Sequence, residues 1–307
     1  MRGLEVPEGL RARPFTVVEG RAAGLRAADL RSTRLHAPTR GIRAVSEPSG
    51  VEERARAFAR AMPPDAAFSH VTAAQLLRLP LPAGPEGQKE LDVIRSGSVA
   101  QVRRRGCHGH RGLERRQVVE VDGMRIVGPA DTWVDLAEVA GRGIGVDDLV
   151  VVGDVVANRT PAGTDALVAA LRGRVRPRGK ALLVESLPLV RVGSRSPMET
   201  RSRLMFHRAG FPEPELNAVV RDSHGGWLLE GDLVWRKQRV VGEYQGSDHA
   251  SIRRRSADSS RSTGAEAAGY RVLEIYAEDV YRGARRRACL TRFATAMHLD
   301  PASFSIE

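Results

Sequence analysis

Cysteine, lysine and long apolar runs are all scarce in this 307-residue chain. The two cysteines, Cys107 and Cys289, stand far apart and outside any metal-ligand spacing, and the run from Cys107 to His110 has no distant partners, so a zinc site is disfavoured. No stretch approaches ~18 uninterrupted apolar residues, and the N-terminus has no apolar signal-peptide core. These absences predict a reduced cytoplasmic protein that is neither secreted nor inserted in a membrane.

The basic charge of the chain is carried almost entirely by arginine. Of 48 Lys and Arg side chains, only Lys89, Lys180 and Lys237 are lysines, and the net charge is +11 with a pI near 10.7. An excess of this size favours polyanionic partners, and DNA or RNA first among them. An arginine bias also arises from GC-rich coding sequence, so a merely basic surface is the alternative interpretation.

Residues 11–46 predict a small helical unit with a wing. A helix beginning at Phe15, a sharp turn at Gly24 and a second helix beginning at Ala27 fit a helix-turn-helix, and residues 41–45 fit a wing strand. A helical hairpin with solvated arginines fits the same residues equally well. The arginines expected to face phosphate are Arg26, Arg31, Arg34, Arg40 and Arg43.

Residues 51–158 predict an α+β region, and residues 159–193 predict a helical connector. The clearest element is a hairpin over residues 117–127, because Asp122-Gly123 suits a tight type I′ turn. The other expected elements are helices over 51–64, 68–77, 129–139 and 147–158 and strands over 91–94 and 99–102.

The N-terminal half resembles regulators related to the antitoxins of abortive-infection systems. The resemblance covers about residues 14–158 and implies that the first unit is a winged helix that binds DNA. It is carried by Phe15-Thr16 through Leu30, Ser69-His70-Val71-Thr72-Ala73-Ala74, Gly109-His110-Arg111, and Pro129-Ala130-Asp131-Thr132-Trp133-Val134-Asp135-Leu136-Ala137.

Two carboxylates interrupt a second predicted hairpin. Its apolar-rich runs cover residues 227–235 and 239–245, and Asp232 and Glu243 stand at comparable distances from the polar break between them. Both carboxylates can therefore share one face and one end of the hairpin. Two like charges placed together are costly unless a cation binds between them, and oxygen ligands suit Mg²⁺ or Mn²⁺. Strand alternation puts Glu230 on the same face, so it competes with Asp232 for this role.

The segment from Ser194 to Met297 resembles the PD-(D/E)XK nuclease superfamily, in the branch related to very-short-patch-repair endonucleases. The resemblance is carried by Ser196-Pro197-Met198-Glu199, Asp232, Glu243-Tyr244-Gln245-Gly246, His249, Asp258, Arg261 and Gly269-Tyr270-Arg271-Val272. It implies a restriction-endonuclease-like mixed sheet flanked by helices over residues 194–300. The implied metal ligands are Asp232 and Glu243, and Glu199 would support the site from its helix.

One position departs from the superfamily pattern, which usually ends in lysine where this chain has Gln245. Glutamine cannot take a proton at pH 7, but it can hydrogen-bond a water or a phosphate oxygen. His249 is a candidate general base or a neighbour of the metal ligands, and a plain surface histidine is the alternative. The arginines expected to face phosphate here are Arg253, Arg254 and Arg261.

These patterns predict a chain of α/β and α+β class, with a winged-helix-like module and a small α+β region before an endonuclease-like domain. The predicted function is metal-dependent hydrolysis of DNA phosphodiester bonds. The alternatives are a catalytically inactive DNA-binding regulator that keeps the nuclease fold as a scaffold, and an interaction protein with other acidic partners. A homodimer is one arrangement left open. The catalytic set is Glu199, Asp232, Glu243, Gln245 and His249.

Overall fold

The chain folds into two compact units, and the computed structural model describes residues 4–246 and 265–300 of it. One unit comprises Met1–Leu149 with Ala166–Val184, and the other comprises Val150–Asp165 with Glu185–Glu307. Both units contain helices and sheets, which confirms the mixed α and β class. The domain limits expected at residues 46, 158 and 193 stay predictions.

The elements of the described residues are as follows. The helices are α1 (Glu8–Arg11), α2 (Val17–Ala22), α3 (Gly50–Ala59), α4 (His70–Leu76), α5 (Ala83–Glu86), α6 (Pro129–Leu136), α7 (Val146–Arg159), α8 (Thr164–Arg172), α9 (Lys180–Ser186), α10 (Pro197–Arg208), α11 (Ala277–Tyr281) and α12 (Gly283–Ala296). The strands are β1 (Phe15–Thr16), β2 (Ile42–Arg43), β3 (Ala67–Phe68), β4 (Leu91–Arg95), β5 (Cys107–Arg111), β6 (Val118–Val121), β7 (Met124–Val127), β8 (Glu215–Arg221), β9 (Trp227–Trp235), β10 (Val240–Gln245) and β11 (Arg271–Tyr276). No helix within 4–246 or 265–300 combines the length and apolar character that crossing a bilayer demands.

The start of the first predicted helix is wrong by two residues. Strand β1 occupies that position and pairs antiparallel with β2, which is the predicted wing strand. Helix α2 begins only at Val17 because Thr16 caps it. The Thr16 hydroxyl accepts from the Glu19 N–H at 3.0 Å, and the Glu19 carboxylate accepts from the Thr16 N–H at 2.8 Å.

The second predicted helix of this region shortens to a 3₁₀ turn at Asp29–Arg31. The Asp29 carboxylate accepts from the backbone N–H of Arg26 at 2.9 Å, so the side chain closes a local turn instead of leaving that donor to a helix. One turn of 3₁₀ helix is shorter than the recognition helix of a helix-turn-helix. The winged-helix arrangement therefore stays a prediction.

A five-stranded sheet forms the centre of the first unit, in the order β5-β4-β3-β7-β6. The β6–β7 hairpin confirms the predicted turn, since Asp122 and Gly123 have φ of 50° and 72°, as a type I′ turn requires. The strand expected at 99–102 is wrong. Strand β5 forms instead, because all five of its residues pair in parallel with the five residues of β4. The helix expected from Phe68 begins at His70, because β3 takes the residues before it.

A four-stranded mixed sheet, ordered β11-β10-β9-β8, forms the centre of the second unit. Strands β8, β9 and β10 are a meander of antiparallel neighbours, while β11 runs parallel to β10. One face packs on α10 and α12 through Phe206, Trp235 and Phe293, whose ring centroids lie 4.7–5.7 Å apart. The opposite face carries Val234 and Val241. The antiparallel pairing of β9 with β10 confirms the predicted 227–245 hairpin.

Candidate active site

Four polar residues form one row of backbone positions across the second sheet: Asn217 on β8, Asp232 on β9, Glu243 on β10 and Glu274 on β11. Asp232 and Glu243 are the first residues beyond the last hydrogen-bonded pair of β9 and β10. The two carboxylates predicted to share an end of the hairpin are therefore neighbours on adjacent strands. The pairs that fix this register are Leu216–Leu233, Ala218–Gly231, Leu233–Gly242 and Glu243–Glu274.

The Asp232 side chain accepts a backbone hydrogen bond just beyond the last backbone pair of β9 and β10. Its Oδ2 accepts from the Tyr244 N–H at 2.8 Å, and in a regular ladder a backbone carbonyl would accept such a donor. Tyr244 lies between Glu243 and Gln245, so the carboxylate of Asp232 lies beside the backbone that carries both of those side chains. Asp232 and Glu243 are each half-buried.

Two glycines give this part of the hairpin its close packing. A Cβ on Gly231 would lie 2.3 Å from Cγ1 of Val241, and one on Gly242 would lie 3.0 Å from Ile275 and 3.3 Å from Phe293. Each glycine directly precedes a site carboxylate. The strands can therefore pack this tightly at Asp232 and Glu243 only because neither preceding residue has a side chain.

Glu199 belongs to the first turn of α10, where the sequence placed it. Ser196 is the N-cap and Pro197 the first helical residue, and Ser196 Oγ accepts from the Glu199 N–H at 3.1 Å. The Glu199 residue is only 8 % exposed, and its Oε2 accepts from the Arg195 N–H at 2.8 Å. Its burial and its hydrogen bond from the Arg195 N–H distinguish this carboxylate from an ordinary solvated acid at a helix N-terminus.

Asn217 connects Glu199 to the row on the sheet. Its Nδ2 donates to Glu199 Oε2 at 2.7 Å and to the Gly193 carbonyl at 2.8 Å. Its backbone has φ of +44° within strand β8, a left-handed conformation that non-glycine residues rarely adopt. Such strain persists where surrounding contacts hold it, and it clusters at functional sites. Sequence reasoning did not select Asn217, because no local pattern marks it.

Negative charge is concentrated at this end of the sheet. Burial raises the pKa of the Asp232 carboxyl, as do Glu199 and Glu230, although the Tyr244 N–H and Arg195 act in the opposite direction. A nearby cation would relieve that repulsion. The three predicted carboxylates are nevertheless spread out. In the part of the chain that the structure describes, only His70, Asp135 and Glu138 bring three ligand atoms within 4.8 Å of one another.

Glu230 and Asp232 share a strand but have different surroundings. Glu230 is exposed, and its Oε1 accepts from Arg195 Nη2 at 2.6 Å, which lowers the pKa of the Glu230 carboxyl. The pKa of the Asp232 carboxyl is raised instead, and the residue across from it on β8 is the strained Asn217. Asp232 is therefore the half-buried acid of the two, and Glu230 is the exposed acid paired with Arg195, which sequence reasoning had not selected.

Of the remaining predicted residues, some lie within the described part of the chain and others lie outside it. Gln245 ends β10 and is half-buried. Arg26 pairs with Asp29 at 3.2 Å, and Arg31 and Arg34 are exposed. The predicted residues that lie outside the described residues are His249, Arg253, Arg254, Asp258 and Arg261.

A second cluster of ionisable side chains lies in the first unit. His70 is buried with φ of +48°, and its Nε2 lies 3.7 Å from Glu138 Oε2 without a hydrogen bond. The neighbouring Asp135 is already bound by two buried arginines, Arg116 at 2.8 Å and Arg174 at 3.0 Å. The geometry could hold a metal ion, but the two guanidinium groups already neutralise the carboxylate a metal would need.

Comparison with known proteins adds no family to this picture. No protein-family model, no curated protein and no solved structure matches the chain. What the chain does must therefore be argued from the geometry of its own residues.

Proposed function

We propose that this protein is a metal-dependent DNA endonuclease whose site is the end of the second sheet. The observation that carries the proposal is the row in which Asp232 and Glu243 are neighbours on adjacent strands, with the buried Glu199 bonded to Asn217 of the same row. The restriction-endonuclease-like fold is part of the proposal. The order of α10, the β8–β9–β10 meander and a β11 parallel to β10 supports it.

The residues fit a hard divalent cation, Mg²⁺ or Mn²⁺. Every candidate ligand atom is a carboxylate oxygen, and the raised pKa of Asp232 reflects burial and repulsion that a cation would offset. Asp232 and Glu243 would hold the ion, and Glu199 would add negative charge behind them. When bound, such an ion lowers the pKa of a water and offsets charge on the phosphate.

Hydrolysis forms a bond from a water oxygen to phosphorus, breaks one P–O bond to a sugar and transfers a proton from the water to the leaving oxygen or to solvent. Gln245, on the same strand face as Glu243, would orient the water through its amide. His249 would serve as the base. Because the site is rich in negative charge, DNA affinity would come from arginines and fall steeply with salt.

The test is nicking of supercoiled plasmid with Mg²⁺, Mn²⁺ or EDTA. We expect metal-dependent cleavage by the wild type and a loss of at least ~100-fold in Glu243→Ala and Asp232→Asn. The matched control is Glu215→Ala, since Glu215 is an exposed carboxylate of the same sheet that pairs with Arg236 instead. Equal cleavage by wild type and Glu243→Ala would mean that this site does not perform the reaction.

A second function, a DNA-binding regulator, is favoured by the exposed Arg31 and Arg34 beside the paired Arg26. In that case the N-terminal module would supply the affinity for DNA, and the second sheet would serve only as a scaffold. Salt-sensitive binding that survives Asp232→Ala but fails when these three arginines become glutamine would select the regulator. The cytoplasmic location and a homodimer stay predictions.

A further inference from the structure

The loop before helix α10 is held rigidly in place. Asn158 Oδ1 accepts from the Gly193 N–H at 2.7 Å, and Asn217 Nδ2 donates to the Gly193 carbonyl at 2.8 Å. Gly193 has φ of +116°, and a Cβ there would lie 3.1 Å from Cβ of Leu216. The loop is therefore fixed on both sides and only glycine fits at its centre. Arg195 follows two residues later.

Arg195 points its charge at the carboxylate site. Its backbone N–H donates to Glu199 Oε2 at 2.8 Å, and its Nη2 donates to Glu230 Oε1 at 2.6 Å. The side chain is 61 % exposed, and within the described part of the chain its guanidinium makes no other hydrogen bond. The geometry thus leaves further N–H donors of Arg195 open to solvent, and its partner Glu230 stands two residues from Asp232 on β9.

The register also relates Arg195 to Gln245. If the antiparallel register of β9 and β10 is continued past its last pair, Gln245 takes the position that matches Glu230, the partner of Arg195. Gln245 has no charge to offer a phosphate. The guanidinium of Arg195, in contrast, is a positive charge that acts to lower the pKa of the Asp232 carboxyl, against the larger effect of burial.

The surface beside Arg195 suits a nucleic-acid strand. An open depression of about 450 Å³ lies next to the site. Its lining mixes apolar side chains, Val155 and Leu216, with polar and basic ones, which are Asn158, Arg159, Ser194, Arg195 and Asn217. Planar guanidinium groups bind phosphate oxygens in a two-pronged way, and the residues that line the depression include two arginines, Arg159 and Arg195.

We propose that Arg195, held by Glu230, binds the phosphate at the reaction centre and that the depression lined by Arg159 guides the DNA strand to it. This rests on the proposed nuclease function, but it names a contact that can be measured without cleavage. Arg195 would then be a catalytic residue that neutralises charge on the phosphoryl oxygens.

Binding is the first test, made in EDTA so that cleavage does not interfere. Affinity for a short DNA duplex is measured by fluorescence anisotropy over a range of NaCl concentrations. Loss of one phosphate contact in Arg195→Ala should reduce the slope of log K against log salt by about one. The matched control is Arg236→Ala, because Arg236 also pairs with a glutamate of this sheet, Glu215, but lies outside β9 and does not line the depression. Equal slopes in wild type and Arg195→Ala would overturn the proposal.

Cleavage is the second test and separates this inference from the nuclease proposal. If the wild type cleaves, kcat should fall ~100-fold in Arg195→Ala with a smaller change in KM, and Gln245→Lys in that background should recover part of the loss. Wild-type kcat in Arg195→Ala would overturn the role of Arg195 and leave the nuclease standing. A wild type that never cleaves would overturn the nuclease, while the salt slope would still decide whether Arg195 contacts phosphate.

Discussion

The carboxylate of Asp232 lies 2.8 Å from the backbone nitrogen of Tyr244, the residue that separates Glu243 from Gln245. The Asp232 side chain thus takes the place of a backbone acceptor in the β9–β10 pairing and links the candidate site on β9 to β10. The negative charge of Asp232 is held at a cost to stability, because burial raises the pKa of this carboxyl.

Asp232→Asn should raise stability while it removes cleavage. Asparagine keeps an oxygen that accepts from the Tyr244 N–H but removes a charge repelled by Glu199. The folded-state pKa of Asp232 lies above its unfolded value, so the ionised carboxylate destabilises the folded protein. This destabilisation is complete above the folded-state pKa and absent below the unfolded-state pKa. We expect Tm to rise by about 2–4 °C at pH 7 and the difference to vanish in acid, measured by thermal unfolding against pH.

Glu230→Gln is the matched control for this experiment. Glu230 is two residues away on the same strand, but Arg195 lowers the pKa of its carboxyl, so its charge is stabilised in the folded state. Glu230→Gln should therefore lower Tm or leave it unchanged at pH 7, whereas Asp232→Asn should raise it. A gain in Glu230→Gln, or none in Asp232→Asn, would contradict the charge distribution described for the site.

Breaking the buried pair of Asp154 and Arg203 should cost about 3–5 kcal/mol. Both side chains are essentially unexposed, and Arg203 Nη2 donates to Asp154 Oδ2 at 3.0 Å. Arg203→Met leaves the Asp154 charge buried without its partner, so the free energy of unfolding in urea should fall. The double change with Asp154→Leu should recover part of the loss. Arg236→Met, which breaks the exposed pair with Glu215, should cost less than about 1 kcal/mol.

The cluster of His70, Asp135 and Glu138 should not retain Zn²⁺. Arg116 and Arg174 already bind the Asp135 carboxylate, so an added divalent ion would meet two positive charges. We expect no zinc in the purified protein by elemental analysis and no change of Tm with added Zn²⁺. Stoichiometric Zn²⁺ that is lost in His70→Ala would show that the arginines yield to a metal.

Glu19 should make the N-terminal region sensitive to acid. Although partial burial acts to raise it, hydrogen bonds from the Thr16 N–H, Arg60 and Arg13 lower the pKa of Glu19 to about 2. Its stabilisation is therefore complete above the unfolded pKa near 4.5 and disappears as the pH falls through about 2. Glu19→Gln keeps a capping side chain but loses the charge, so it should cost less than about 1 kcal/mol at pH 7, and this cost should shrink as the pH falls from 4.5 towards 2. Circular dichroism melts of both proteins against pH check this, and a cost that is the same at pH 7 and pH 2 would contradict the assignment.

The sequence predicted the elements whose formation depends on neighbouring residues. The Asp122-Gly123 turn, the Ser196-Pro197 start of α10 and the hairpin carrying Asp232 and Glu243 were all visible, because turn and cap chemistry acts over three or four residues. Prediction was wrong where distant pairing decides. The strand expected at 99–102 was displaced by β5, which forms because β4 offers it a partner.

The amino-acid order by itself determined the charge, the hairpin turns and the two carboxylates of the candidate site. Tertiary structure alone decided what surrounds them. It placed Asn217 in a strained conformation against Glu199, brought Arg195 to Glu230, and made Asp232 rather than Glu230 the half-buried acid. Local propensities are set by short-range sterics and hydrogen bonds. Burial and pairing between residues far apart in sequence depend on the packing of the whole unit, which no short stretch of sequence encodes.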